Sequence, residues 1–325
     1  MNFLREIDIG IGAFILVLAL FVIFLNGFTD APNAISSVVG TGTLKMWQGC
    51  LLCAVFNFFG VILTSSMGMT VAKSVFSLAN FLENREIGVI ASLLSVIIFT
   101  VIAWLFSMPS SESHALISAI IGSSLAISSR LTSIEEILKI LFYMIASFVV
   151  SFFVAFLIDL FFKKKSLPYG KLQIVGASLS SLMHGAQDGQ KFVAVLMLLF
   201  ISSDKTNDTS AHFSLVLIVS IAISLGALLG GGRIIKTFSE KTVSLNKKTG
   251  FISDISSSLS CFFFSLIGAP VSTSNIKALA LMGTARGEGE KINKKTAKAL
   301  ILTTILTLPV CFALGYVIAK AILLF

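Results

Sequence analysis

Charge is what this chain has least of. Only 12% of its 325 residues are Asp, Glu, Lys or Arg, about half the share that a soluble domain carries. That scarcity excludes a water-soluble globular protein. Histidines number three and cysteines four. Cys50-x-x-Cys53 has the spacing of a redox or metal pair, but it lies in an apolar run with no second Cys or His pair beside it. Both are expected as small packing residues, and no metal-ligand cluster or nucleophile–base pair is visible, so the chain is not expected to be an enzyme or to hold a cofactor. The net charge is +8, yet the basic residues sit in a few short loops. That is an orientation signal in a membrane and not a nucleic-acid surface.

Apolar residues make up 56% of the chain and its mean hydropathy is +0.97. Runs of about 20 apolar residues, enough to cross about 30 Å of hydrocarbon, occur repeatedly. The expected class is an all-α polytopic membrane protein, multi-pass in the cell membrane. The first run follows a mixed-charge start (Arg5, Glu6, Asp8) and lacks a small-residue cleavage site, so it is expected as a retained span.

One apolar run is interrupted by Gly27-Phe28-Thr29-Asp30-Ala31-Pro32-Asn33-Ala34, and the interruption returns as Gly185-Ala186-Gln187-Asp188-Gly189-Gln190-Lys191. Two charged helix breaks at matching places in two halves point to a transport site. Asp30 and Asp188 lie 158 residues apart, and Pro109 and Pro270 lie 161 apart. Pro109-Ser110-Ser111-Glu112-Ser113-His114 then aligns without gaps on Pro270-Val271-Ser272-Thr273-Ser274-Asn275, and Gly122 falls on Gly283. The expected division is a first transmembrane repeat over 1–162, with its break at 27–34 and a hairpin at 87–128. A second repeat follows over 163–325, with its break at 185–191 and a hairpin at 251–285.

The strongest basic loops are 163–171, 233–250 (Arg233, Lys236, Lys241, Lys247, Lys248) and 286–298 (Arg286, Lys291, Lys294, Lys295, Lys298). Placing all three in the cytoplasm makes each proline-containing hairpin re-entrant, one from each side, and puts both termini outside. The two halves are then inverted.

An ionisable group at membrane depth costs several kcal/mol unless it is paired or functional. Asp30 and Asp188, with Thr29 and Gln187, are therefore the expected coupling-ion ligands. The hairpin tips have the opposite polarity. Ser110, Ser111 and Ser113, and likewise Ser272, Thr273 and Ser274, stand at helix starts, where unpaired N–H groups and hydroxyls suit a tetrahedral oxyanion. Capping accounts for one hydroxyl at each tip. Asn33 and Lys191 join the anion set, although Lys191 equally suits a pairing with Asp188. Glu112 is either a proton carrier or a capping acid. His114 is either a proton relay or a scaffold, and His184 packs or caps near the second break.

These paired Asp-containing motifs, each followed by a Pro- and hydroxyl-rich hairpin, resemble the inorganic phosphate transporter (Pit) family of secondary carriers over nearly the whole chain. The resemblance implies an inverted-repeat membrane fold that carries phosphate with a coupling cation, with Asp30, Asn33, Asp188 and the tip hydroxyls lining the central site. Thr29 and Gln187 stand where the motif has asparagines, and Asn275 stands where a second hairpin histidine is usual. The function expected is a symporter importing inorganic phosphate with H+ or Na+. The alternatives are a sulfate permease of the same family or an anion channel. The expected partners are phosphate or sulfate and the lipid bilayer, with no nucleic acid, and a homo-oligomer is compatible with the sequence.

Overall fold

A computed structural model describes residues 9–66, 69–79, 84–106, 111–128, 134–200, 209–232, 235, 245–290, 292 and 294–324. Pro109 and Ser110 lie outside them, as do Arg233, Lys236, Lys241 and Lys291 of the basic loops. Among the described residues the regular structure is all helical: α1 (Ile9–Thr29), α2 (Pro32–Gly40), α3 (Met46–Ser66), α4 (Thr70–Ser77), α5 (Arg85–Leu105), α6 (Glu112–Ser128), α7 (Ile134–Phe162), α8 (Tyr169–Phe200), α9 (Thr209–Leu229), α10 (Lys247–Leu266), α11 (Thr273–Glu288) and α12 (Lys294–Ile322).

The molecule is apolar outside, and its interior sets buried polar and charged groups among apolar ones. Leu51, Val55, Phe59 and Leu63 form an exposed stripe along α3, and Leu138, Phe142, Ile145, Val149, Phe153 and Leu157 form another along α7. Buried groups include Asp30, Glu112, His184, Asp188, Lys191, Asp254 and Lys277. Such exposed apolar faces match a hydrocarbon solvent. Five stretches are long and apolar enough to cross a bilayer among the described residues: Gly10–Gly40, Met46–Ser65, Arg85–Leu105, Ile134–Phe162 and Ala297–Ile322.

The break at 27–34 is present. α1 stops at Thr29 and α2 starts at Pro32, whose ring cannot follow the preceding turn and which has no N–H to continue the ladder. The backbone stays satisfied across the break. Asp30 N–H donates to Asn26 O at 2.8 Å, and Asn33 N–H donates to Asp30 O at 3.0 Å. The expected break at 185–191 is absent: α8 runs uninterrupted over 32 residues, with Asp188 in its middle. The second motif has glycines but no proline. A glycine costs a helix only about 1 kcal/mol, so packing carries the helix through. Thr70–Ser77 forms the short helix α4, whose buried Val71, Ala72 and Val75 are too few to make a span.

Glycines let main chains meet. A Cβ at Gly60 of α3 would strike Leu182 O of α8, and one at Gly185 would strike Asn57 O in return. Between α1 and α9, Gly27 meets Ile223 O and Gly226 meets Phe24 O. The hairpins follow the same rule. Gly122 lies on Phe312 O, seating α6 on α12, while Gly283 lies on Phe152 O, seating α11 on α7. The hairpin of each half thus packs on the last helix of the other half. Gly122→Val or Gly283→Val is expected to destabilise by at least ~2 kcal/mol, because a carbonyl in a helix cannot step aside for a side chain. A fluorescence melt of the detergent-purified protein checks this, and an unchanged melt would refute the direct backbone seating.

Candidate functional site

The two hairpin tips, separated by more than half the chain, meet. Ser111 Oγ donates to Ser272 Oγ at 2.8 Å. Each serine also caps its own helix: Ser111 Oγ accepts from His114 N–H, and Ser272 Oγ accepts from Asn275 N–H, both at 3.3 Å. One hydroxyl per tip is therefore a cap. Ser113 and Ser274 face the two acids.

Asp188 is the better connected acid. Its Oδ1 accepts from Lys191 Nζ at 2.6 Å, and its Oδ2 accepts from Asn26 Nδ2 at 3.1 Å. Lys191 is 1% exposed and spends all three ammonium hydrogens, on Asp188, on Ser113 Oγ at 2.6 Å and on Val271 O at 2.6 Å. It ties α8 to the first tip through Ser113 and to the second through Val271. The spacing of the motif puts Lys191 one turn after Asp188 on the same helix face, so the pairing follows from an unbroken helix.

Asp30 has a neutral partner instead. Asn33 Nδ2 donates to its Oδ1 at 2.8 Å, while its buried Oδ2 is without a hydrogen bond. Ser274 of the second tip faces Asp30, as Ser113 of the first tip faces Asp188 at 3.5 Å. Each acid thus meets the tip serine of the opposite half. The lone Thr29 proton has two acceptors, Leu25 O at 2.8 Å and Glu112 Oε1. If it goes to Leu25, Glu112 would have to be the donor of the second bond. Its Oε2 is buried without a partner.

Gln187 is turned away from both acids. Its Nε2 donates to Ser265 Oγ at 2.9 Å and to Ala269 O at 3.3 Å, and its Oε1 accepts from Val271 N–H at 3.5 Å. It holds the turn of the second hairpin. His114 pairs with Ser111 at 2.5 Å, and Asn275, at the matching place, donates to Thr304 Oγ1 at 3.1 Å. Both brace a tip. Thr273 Oγ1 is buried without a hydrogen bond. Cys50 and Cys53 are free thiols in the core, and Cys53 donates to Ala31 O at 3.3 Å, bracing the break.

His184 adds what spacing rules do not show. The amide of Asn57 donates to Cys53 O at 2.8 Å, so its Oδ1 must accept, at 2.6 Å, from Nδ1–H of His184. Its Nε2 then lies 3.5 Å from Asp188 Oδ2, so a neutral ring would turn a lone pair to that acid. Ligand atoms of Asp30, His184 and Asp188 all come within 4.8 Å of one another. Three lone-pair groups at that distance, two of them acids, repel unless a proton or a small cation sits among them. The expectation of no metal cluster missed this convergence because Asp30 is remote in sequence. Asp254 and Lys277 were missed too, although the rule that singles out Asp30 applies equally to them. They form a buried ion pair.

Comparison with known proteins gives one consistent result. A family model described as the phosphate transporter family matches residues 26–168 and 161–315. A probable low-affinity inorganic phosphate transporter of Bacillus subtilis (strain 168) is 31% identical over 315 residues, covering 93% of this chain and 94% of that protein. One of the same description from Rhizobium meliloti (strain 1021) is 29% identical over 310 residues, covering 91% of each. The fold is similar to that of a solved structure titled the sodium-dependent phosphate transporter, with a TM-score of 0.86 and 18% identity, covering 98% of this chain and all of that one.

Proposed function

From a chain that belongs to the phosphate transporter family, we propose that this protein is a secondary symporter that moves inorganic phosphate inward together with H+ or Na+. The observation that carries the reading is the junction of Ser111, Ser272, Ser113, Lys191 and Asp188 beside Asp30, a place where hydroxyl donors and a buried ammonium adjoin buried carboxylates. An anion entering there takes hydrogen bonds from Ser111, Ser113, Ser272, Thr273 and Ser274, from the helix starts behind them and from the amide of Asn33. Lys191 supplies a fixed positive charge.

Inward movement of an anion against a negative-inside potential is uphill by about 2.3 kcal/mol per charge per 100 mV. A co-bound cation offsets it. Asp30, His184 and Asp188 form the cation position, and proton or sodium each satisfies their mutual repulsion. Occupancy of both positions is cooperative, since each ion lowers the electrostatic cost of the other. The tips touch each other through one neutral hydroxyl pair, worth about 1 kcal/mol net, and both are held besides by the Lys191 ammonium.

The basic loops set the cytoplasmic side in this reading, with the two hairpins re-entrant from opposite leaflets and the termini outside. The crossed contacts of each hairpin with the last helix of the other half support an inverted repeat divided near residue 162.

Uptake of radiolabelled phosphate by proteoliposomes under an imposed inward sodium gradient, and separately under an inward proton gradient, tests the proposal. One gradient is expected to drive accumulation, with a saturable rate. Equal excess sulfate is expected to compete poorly. Uptake indifferent to both gradients would reject symport, and a rate that does not saturate would indicate a channel.

A further inference from the structure

Lys277 stands one turn beyond Thr273 and Ser274, on the part of α11 that runs from the tip toward the basic loop at 286–298. It is 2% exposed, and its ion-pair partner Asp254 of α10 is 0% exposed. The Ser37 hydroxyl lies 2.8 Å from both oxygens of Asp254, so the pair also reaches α2. Lys277 is one wall of a cavity whose other lining residues include Asn33, Ser180, His184, Ser257, Ser258 and Thr273. Beyond the pair, Gln173 Oε1 accepts from Thr41 at 2.8 Å and from Thr43 at 2.7 Å, tying the end of α2 to α8.

Three lining residues hold buried polar atoms with no hydrogen bond: Asn33 Oδ1, His184 Nε2 and Thr273 Oγ1. Lys277 Nζ, although ion-paired, makes no hydrogen bond of regular geometry either. Buried polar atoms are rarely left unsatisfied, and several around one water-sized cavity mark a place for water that an entering ligand can displace. The set has two chemistries. Asn33 Oδ1 accepts, and the ammonium and the threonine hydroxyl donate, while His184 Nε2 stays directed at Asp188. A tetrahedral oxyanion that still carries a proton meets both, giving its O–H to an acceptor and its charged oxygens to the donors. A fully deprotonated oxyanion has nothing to give.

We infer that Lys277 forms a second anion subsite, between the hairpin tips and the face that carries the basic loops, and that a protonated tetrahedral anion in transit takes Lys277 from Asp254. The subsite rests on the phosphate-transport reading and extends it. While no anion is in the subsite, Asp254 holds the lysine and the path below stays shut. An anion arriving from Lys191 supplies the competing charge, Lys277 turns to it, and Asp254 is left to Ser37. The anion therefore passes between two buried ammonium groups and is at no point without a counter-charge. The exchange also favours phosphate, which carries a proton near neutral pH, over sulfate, which does not.

The test compares wild type, Lys277→Gln and the double variant Lys277→Gln/Asp254→Asn in membrane vesicles of both orientations, with radiolabelled inorganic phosphate as probe. The single variant leaves Asp254 unpaired and is expected to lower the melting temperature. The double variant removes both charges and restores it. Both are expected to raise KM at least tenfold from the basic-loop side and less than threefold from the other. Ser257→Ala with Ser258→Ala, which disturbs no charge, is expected to raise the same constant about threefold. A double variant with wild-type KM from both sides makes the pair structural only and overturns the inference, as does a wild-type constant in the serine variant. Absence of phosphate transport by the wild-type protein would overturn the underlying reading, an outcome distinct from a variant that transports normally.

Discussion

Asp188→Asn is expected to abolish phosphate uptake and to destabilise the fold at the same time. Lys191 is buried and its ammonium relies on one full counter-charge; the other two acceptors, Ser113 and Val271 O, are neutral. Removing one partner of a buried ion pair costs about 3–5 kcal/mol, because the survivor stays desolvated and unmatched. The asparagine also withdraws the acceptor that Asn26 uses and one of the three groups that converge with Asp30 and His184. Uptake is expected to fall at least roughly a hundredfold, which corresponds to about 2.7 kcal/mol in the transport barrier. The double change Asp188→Asn with Lys191→Gln separates the two effects. Its melting temperature recovers, since no bare charge remains, but uptake does not, since both the cation ligand and the fixed positive charge are gone. Radiotracer uptake beside a thermal melt of the same preparations checks both. Uptake by the double variant within tenfold of wild type would remove Asp188 and Lys191 from the transport pathway.

Asp30→Asn is expected to divide the same two quantities differently. Asp30 leans on a neutral amide, Asn33, and has a free carboxylate oxygen. An asparagine of the same shape keeps the oxygen that Asn33 donates to and leaves no charge stranded. The stability change is expected to stay within about 1 kcal/mol, the scale of one neutral hydrogen bond. Coupling is another matter. The position shared by Asp30, His184 and Asp188 loses one of its two negative charges, and its partner Asp188 is already neutralised by Lys191. The remaining site offers a cation little net attraction. Gradient-driven accumulation is expected to disappear while the protein purifies and melts as wild type does. A variant that still accumulates phosphate under the driving gradient would show that Asp30 is not a cation ligand, and would shift that role to Glu112, which lies beside Thr29.

The contrast between these acids shows how far the sequence carries. The two motifs were recognisable as a pair because a carboxylate within an apolar run is costly and recurs at a common spacing. The matched serines at 111 and 272 and the matched glycines at 122 and 283 were visible by the same offset, and both pairs turn out to do equivalent jobs. What misled was the assumption that equal motifs have equal backbones. Pro32 breaks α1, whereas the second motif has glycines that serve close packing against Asn57 and Val61 and leave α8 whole. Gln187 likewise shares a motif position with Thr29 but turns its amide to the second hairpin. Asp254 and Lys277 were each legible by the cost of a charge in an apolar segment, but their pairing exists only once α10 and α11 are side by side.

Composition, apolar run length and the repeated offset determined by themselves that this is a helical membrane protein built on a duplicated plan, because bilayer thickness and the price of an unpaired backbone group leave few other solutions. Tertiary structure alone decided which acid pairs with which tip, that Lys191 matches Asp188, and that His184 turns Nε2 toward two carboxylates. Those relations join residues from opposite halves of the chain, and their strength depends on distance and burial, quantities that no linear spacing contains.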